Sequence, residues 1–203
     1  MAGEARAVPF VGLTGGIAAG KSEALKALER LGAATLSSDE VVAELLTTGD
    51  VRDALIERFG DAVAPGGQID RGAVAEIVFG EDEQRKWLEG LLWPRVGERI
   101  AEWREQQQHA DPRPRIAVVE VPLLFESGME AVFDATIAVV ADESLREERA
   151  AARGHAAVAE RSGRQLTQAE KSQRADFEVR NDGTLEELRE TLWQVLAKLA
   201  PVP

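Results

Sequence analysis

A chain of 203 residues accommodates one α/β domain with insertions and is too short for two large independent domains. Hydrophobic residues at 44% and charged residues at 30% mark a chain that folds, and the absence of cysteine excludes disulfides, thiolate catalysis and a cysteine-based zinc site. With 24 Lys+Arg against 36 Asp+Glu the net charge is −12, which sets the surface as a whole against nucleic acids and anionic membranes as partners.

The first nine residues include Glu4 and Arg6 and hold no long apolar run, so neither a signal peptide nor a membrane span is predicted and a cytoplasmic location is expected. Residues 8–13 predict a short strand that ends in the glycine-rich Thr14-Gly15-Gly16. From Ser22 onward Leu25, Leu28 and Leu31 recur at helical spacing, and Gly32 supplies a left-handed stop. A second strand is expected over 33–36, after which Ser37 and Glu40 have the spacing of a capping box for a helix through Leu46. Residues 50–105 read as an inserted, mainly helical lobe with a turn at Pro65-Gly66-Gly67 and a break at Trp93-Pro94. The polar stretch 106–115 leads into apolar runs at 116–121 and 136–141, each suited to a buried parallel strand. A charged helix is predicted over 143–153. The closing helix starts at a Thr184-to-Glu187 capping box and buries Leu185, Leu188, Leu192, Val195, Leu196 and Leu199. Strands alternating with helices predict a parallel α/β sheet.

The chemistry is densest between the first strand and the first helix. Gly15-Gly16-Ile17-Ala18-Ala19-Gly20-Lys21-Ser22 fits G-x-x-x-x-G-K-[ST] without departure, in the strand-loop-helix setting that a phosphate cradle needs. Backbone N–H groups and the positive end of the helix dipole would hold phosphate oxygens, Lys21 would reach the β and γ phosphates, and Ser22 would ligate Mg²⁺. ATP and Mg²⁺ are therefore expected, with residues 15–22 and the adjoining Glu23 as the binding loop. GTPases, transport ATPases and kinases share such a cradle. Neither an Asn-Lys-x-Asp nor a Leu-Ser-Gly-Gly-Gln motif occurs, and the small chain with two candidate lobes suits a kinase that closes.

Arg146, Arg149 and Arg153 fall at i, i+3 and i+7, one helical face, with Arg161 and Arg164 beyond. Residues 142–175 carry seven Lys+Arg against six Asp+Glu, so the basic charge of an acidic chain concentrates there. Such arginines can close over transferring phosphate, or pair with Glu147, Glu148 and Glu160 as a solvated face. Glu120 ends an apolar run as a Walker-B-like acid or simply as a strand end, and His155 is given no role.

Along nearly the full length the chain resembles dephospho-CoA kinase. Leu13-Thr14-Gly15-Gly16-Ile17 through Lys21-Ser22 looks like that family's LTGGIGSGKS, with Ala18 and Ala19 for the central Gly-Ser. Pro122-Leu123-Leu124-Phe125-Glu126 is similar to its PLLFE, Arg149 and Arg153 to its R-x-x-x-R, and Arg161 with Gln165 to its R-x-x-x-Q. Ala175-Asp176 with Asn181-Asp182-Gly183 resembles its closing motif, which implies Asn181 near adenine.

The resemblance implies a P-loop core over 8–46, 114–142 and 175–203, a helical acceptor lobe over about 47–108 and a helical lid over about 143–174. It also implies transfer of the ATP γ-phosphoryl to the ribose 3′-hydroxyl of dephospho-CoA. Lys21, Asp39, Arg149 and Arg153 are the implied catalytic residues, and Ser37, Asp39, Trp93, Pro122, Leu123, Glu126 and Arg161 the acceptor-binding ones. Two positions depart from the family: Ser37 stands where it has the first Asp of Asp-x-Asp, and Trp93 where it has His. Ser37 also suits a helix N-cap, and Trp93 either an adenine stack or the core of the lobe. A small-molecule kinase with another hydroxyl acceptor and a regulatory ATP-binding protein without transfer activity are the other readings.

Overall fold

The computed structural model describes residues 7–152 and 165–200, and the chain forms two compact units, 1–37 with 104–203 and Ser38–Trp103. In the first unit β1 (Phe10–Gly15), β2 (Ala34–Ser37), β3 (Ala117–Glu120), β4 (Ala135–Val140) and β5 (Phe177–Arg180) form a parallel sheet in the order β2-β3-β1-β4-β5. Val11 lies opposite Val118 on one side and Ala135 on the other. Every residue of β1, β3 and β4 is buried, as continuous apolar runs require when both sheet faces are covered.

In this unit α1 (Lys21–Arg30), α6 (Glu143–Ala152), α7 (Gln168–Arg174) and α8 (Leu185–Leu199) accompany the sheet, and α1 packs on α8. Leu13, Leu28, Ile137, Leu188, Leu192 and Leu196 belong to one core cluster. The Thr184–Glu187 capping box forms as predicted, and a second, Thr167–Glu170, opens α7. Leu185 departs from the predicted stripe: as the first residue of α8 it is 62% exposed.

The second unit holds α2 (Ser38–Leu45), α3 (Gly49–Phe59), α4 (Arg71–Gly80) and most of α5 (Asp82–Gln108). Val51, Leu55, Val63, Val74, Leu92 and Val96 are among its buried side chains, and Asp70 caps α4 through the Gly72 and Ala73 amides. The predicted break at Trp93-Pro94 does not occur, since α5 runs through Pro94. Proline there removes the backbone donor that would serve the Gly90 carbonyl, and the Arg95 guanidinium donates to the next carbonyl, that of Leu91, at 2.7 Å. Nor is the Ser37–Glu40 capping box among the hydrogen bonds of the described residues: Ser37 is held in β2 opposite Glu120, and α2 starts at Ser38. Sequence reasoning missed β5, a four-residue edge strand.

Candidate functional site

All five strands are parallel, so their carboxyl ends share one edge of the sheet, where α/β proteins bind ligands. Residues 16–20 leave β1 there and enter α1. Gly15 is required by close approach, because a Cβ on it would lie 2.2 Å from the Val139 carbonyl oxygen. Gly20, at φ 97°, is the N-cap of α1 and offers no side chain to its first turn, so the orphan amides of that turn stay open to an anion. Lys21 Nζ donates to the Gly15 and Gly16 carbonyls at 3.4 and 3.2 Å, laying the ammonium along the loop. The Ser22 side chain is exposed in the same turn, while Glu23 pairs with Lys26 at 3.0 Å.

Two side chains grip the loop from outside, and a third braces one of them. Arg146 Nε donates to the Ile17 carbonyl at 2.9 Å. Asn181, 5% exposed, donates from Nδ2 to the Ala19 carbonyl at 2.8 Å and from its backbone N–H to Val140. Arg149 NH2 in turn donates to the Asn181 carbonyl at 3.0 Å, and its buried NH1 has no hydrogen-bond partner. Because a trans peptide points its N–H opposite its C=O, holding the Ile17 and Ala19 carbonyls turns the Ala18 and Gly20 amides the other way. Arg146 was noted in the sequence as part of a basic stripe but not as a site residue. Asn181 supports the loop directly.

Along the same edge, Ser37 ends β2 beside Glu120 at the end of β3, both buried. The following loop carries Pro122, Leu123 and Glu126. The Pro122 carbonyl accepts from Thr14 Oγ1 at 3.3 Å and from Lys171 Nζ. Lys171, in α7, is fully buried and pairs with Glu126 at 3.1 Å. Burial pushes its ammonium below the ordinary lysine value against the pull of Glu126. Two residues before the start of that helix, the Leu166 N–H donates to Glu126 Oε1 at 2.9 Å. Gln168 grips both the N–H and the C=O of Ala141, at the end of β4, and lies against Gly16. Neither Lys171 nor Gln168 stood out in the sequence, where each is one more polar residue of a charged segment.

Of the remaining sequence-predicted residues, Asp39 is exposed in the first turn of α2 and Trp93 is 39% exposed on α5, both within the helical unit. That exposure corrects the core alternative for Trp93. Arg153, His155, Arg161 and Arg164 lie outside the described residues. No group of three His, Cys, Asp or Glu side chains suited to a metal occurs among the described residues, and no helix there is long and apolar enough to cross a membrane.

The family described as "Dephospho-CoA kinase" matches residues 9–187. A dephospho-CoA kinase of Protochlamydia amoebophila is 35% identical over 193 residues, covering 93% of this chain and 95% of that protein. One from Moorella thermoacetica is 37% identical over 93% of this chain and 92% of its own, and one from Leifsonia xyli 40% identical over 88% and 92%. A crystal structure from Thermus thermophilus superposes with a TM-score of 0.77 at 31% identity, over 96% of this chain and 99% of that one. The Aquifex aeolicus shikimate kinase, at 15% identity and a TM-score of 0.52 over 93% and 96%, shares the fold alone. With the phosphate loop, its tethers and the sheet in agreement, this chain belongs to the dephospho-CoA kinase family.

Proposed function

We propose that this chain transfers the γ-phosphoryl group of ATP to the ribose 3′-hydroxyl of dephospho-CoA, giving coenzyme A and ADP. The observation that carries this is a phosphate loop whose carbonyls are tethered by Arg146, Asn181 and Lys21, leaving an uncapped helix start, in a member of this family. In the transfer the acceptor oxygen bonds to the γ-phosphorus as the bond to the bridging β-oxygen breaks, and ADP leaves with that electron pair. Charge spreads over the phosphoryl oxygens, so positioning and fixed positive groups supply most of the catalysis. Lys21 and the unengaged NH1 of Arg149 are assigned to those oxygens, with Arg153 in the same role.

The acceptor hydroxyl loses its proton to Asp39, the carboxylate left where the family has two, or to water. Mg²⁺ is assigned to the triphosphate with the exposed Ser22 hydroxyl as its protein ligand, which suits a cation that keeps several waters and needs few side chains. It would neutralise phosphate charge. Asn181 is assigned to the nucleotide end of the site, and Ser37, Trp93, Pro122, Leu123, Glu126 and Arg161 to the acceptor. The helical unit also contains a hollow of about 500 Å³ beside Thr47, Arg52, Gln68 and Arg71, whose guanidiniums suit a polyanionic acceptor. Small molecules are thus the partners, and a cytoplasmic location fits them.

The test incubates purified protein with Mg-ATP and dephospho-CoA, follows coenzyme A by mass, and uses Lys21→Ala as control. A Lys21-dependent gain of one phosphoryl group supports the reading. ATP binding without product on this acceptor sinks it.

A further inference from the structure

We propose that Lys171 is a positioning residue for the phosphoryl transfer, holding the loop after β3 and the start of α7 against the phosphate loop as one piece. The inference rests on the reaction proposed above.

A lysine with no exposed surface is uncommon, because its charge loses hydration and its long side chain loses rotamer freedom. Here the ammonium reaches two groups of one loop: the Pro122 carbonyl, and the Glu126 carboxylate at 3.1 Å. The Pro122 carbonyl also accepts from Thr14, the residue before Gly15, so the contact ties that loop to the strand feeding the phosphate cradle. Glu126 Oε1 also accepts the Leu166 N–H, fixing the approach to α7. From the first residue of α7, Gln168 clamps the Ala141 backbone and packs on Gly16: a Cβ added to that glycine would meet Gln168 Oε1 at 3.1 Å. Lys171 therefore stands behind the cradle, where the ends of β1, β3 and β4 and the start of α7 are joined.

A buried ion pair contributes little stability that apolar side chains of like volume would not supply, whereas it does impose one geometry. Stability alone does not account for the choice of Lys and Glu at these positions. Positioning does, since small displacements of reacting groups reduce turnover strongly.

The experiment replaces both partners by apolar residues, Lys171→Met with Glu126→Leu, in the full chain beside wild type and Lys21→Ala. Melting temperature, Mg-ATP affinity, kcat and KM for dephospho-CoA, and amide exchange at Leu166 are measured. We expect a double variant that melts close to wild type and binds Mg-ATP within about threefold, yet has kcat lowered at least about tenfold and Leu166 exchange accelerated at least about tenfold. Wild-type kcat in the stable double variant, or unchanged Leu166 exchange, overturns the proposal. Should the double variant not fold, Glu126→Gln decides. It keeps an oxygen to accept from Lys171 and Leu166 but removes the negative charge that faces the Lys171 ammonium, so the ion pair is lost while the shape is kept. A kcat loss of about threefold or more, with the KM for dephospho-CoA and the melting temperature unchanged, then supports positioning over direct acceptor contact, and an unchanged kcat overturns it. If wild type makes no coenzyme A, the reading of the reaction fails by itself, and Leu166 exchange in Lys171→Met, which keeps the Glu126 acceptor, judges whether Lys171 holds this segment: acceleration supports it and an unchanged rate overturns it.

Discussion

Asn181→Asp changes one NH₂ into an oxygen and leaves the shape of the side chain intact. In the native protein Nδ2 lies 2.8 Å from the Ala19 carbonyl, in a residue 5% exposed. Aspartate sets oxygen against oxygen there, so the hydrogen bond is lost and two acceptors are left facing each other in a dry site. The lost bond is worth about 1 kcal/mol and the unsatisfied buried group about 1–3 kcal/mol, together roughly 3 kcal/mol. For a domain of this size each kcal/mol moves the melting temperature by about 2–4 °C, so a fall of roughly 6–12 °C is expected. Asn181→Ala, which leaves room for water at the Ala19 carbonyl, should fall less. Differential scanning calorimetry of the three proteins, with Mg-ATP titrated into each at a temperature where all are folded, measures both consequences. ATP affinity should follow the order wild type, Ala, Asp, because the Ala19–Gly20 peptide loses its orientation and the Asp variant adds negative charge. An Asp variant that melts with wild type, or binds ATP better than the Ala variant, would refute the claim that this amide orients the phosphate loop.

Three further outcomes follow from the same site. Gly20→Ala places a Cβ 2.0 Å from Asn181 Nδ2 at a backbone φ of 97°, so it should displace the tether and weaken Mg-ATP binding, read by calorimetry. The left-handed backbone alone costs the alanine about 1–2 kcal/mol. Ala18 holds φ 59°, which glycine adopts freely. Ala18→Gly relieves about 1–2 kcal/mol of strain and loses about 0.5–1 kcal/mol to chain entropy, so the melting temperature should stay level or rise slightly. Burial lowers the Lys171 value from 10.5, so between its folded value and 10.5 the unfolded chain binds a proton that the folded chain has released. Folding therefore gains from this group as pH rises through that window. In urea unfolding the stability of wild type relative to Lys171→Met should increase toward pH 10.5, and a difference independent of pH would contradict the burial of the charge.

The phosphate loop was legible because its chemistry is contiguous: eight residues between a strand and a helix state both the motif and its setting. The α8 capping box was legible for the same reason, its two reciprocal bonds lying three residues apart. What escaped was set by contacts distant in sequence. The signal for β5 was only Phe177 and Val179 two apart in a strand of four, too short for periodicity to register. Proline at 94 reads as a helix break because it lacks one backbone donor and restricts its neighbour, yet the loss of one bond within a helix of 27 residues does not end it. Among three arginines on one face, helical spacing cannot tell that Arg146 reaches the Ile17 carbonyl, 129 positions away. Lys171 looks like a surface lysine until β1, the loop after β3 and α7 are brought together around it.

The tolerance of Ala18 follows from how the loop is held. Its peptide planes are set by donors acting on carbonyls: Arg146 on Ile17, Asn181 on Ala19, and Lys21 with the Ala19 amide on Gly16. A phosphate group would meet the opposite, N–H side of those planes, so side chains within the loop need only avoid the anion and satisfy φ. Glycine is obligatory where backbone or Asn181 occupies the space a Cβ would take, at Gly15 and Gly20. At position 18 the requirement is conformational alone, and a single left-handed alanine, costing about 1–2 kcal/mol, is within what three tethers can hold in place. The loop's function thus depends on residues as far away as Arg146 and Asn181 as much as on its own eight, and substitutions there should disable it while leaving the motif intact.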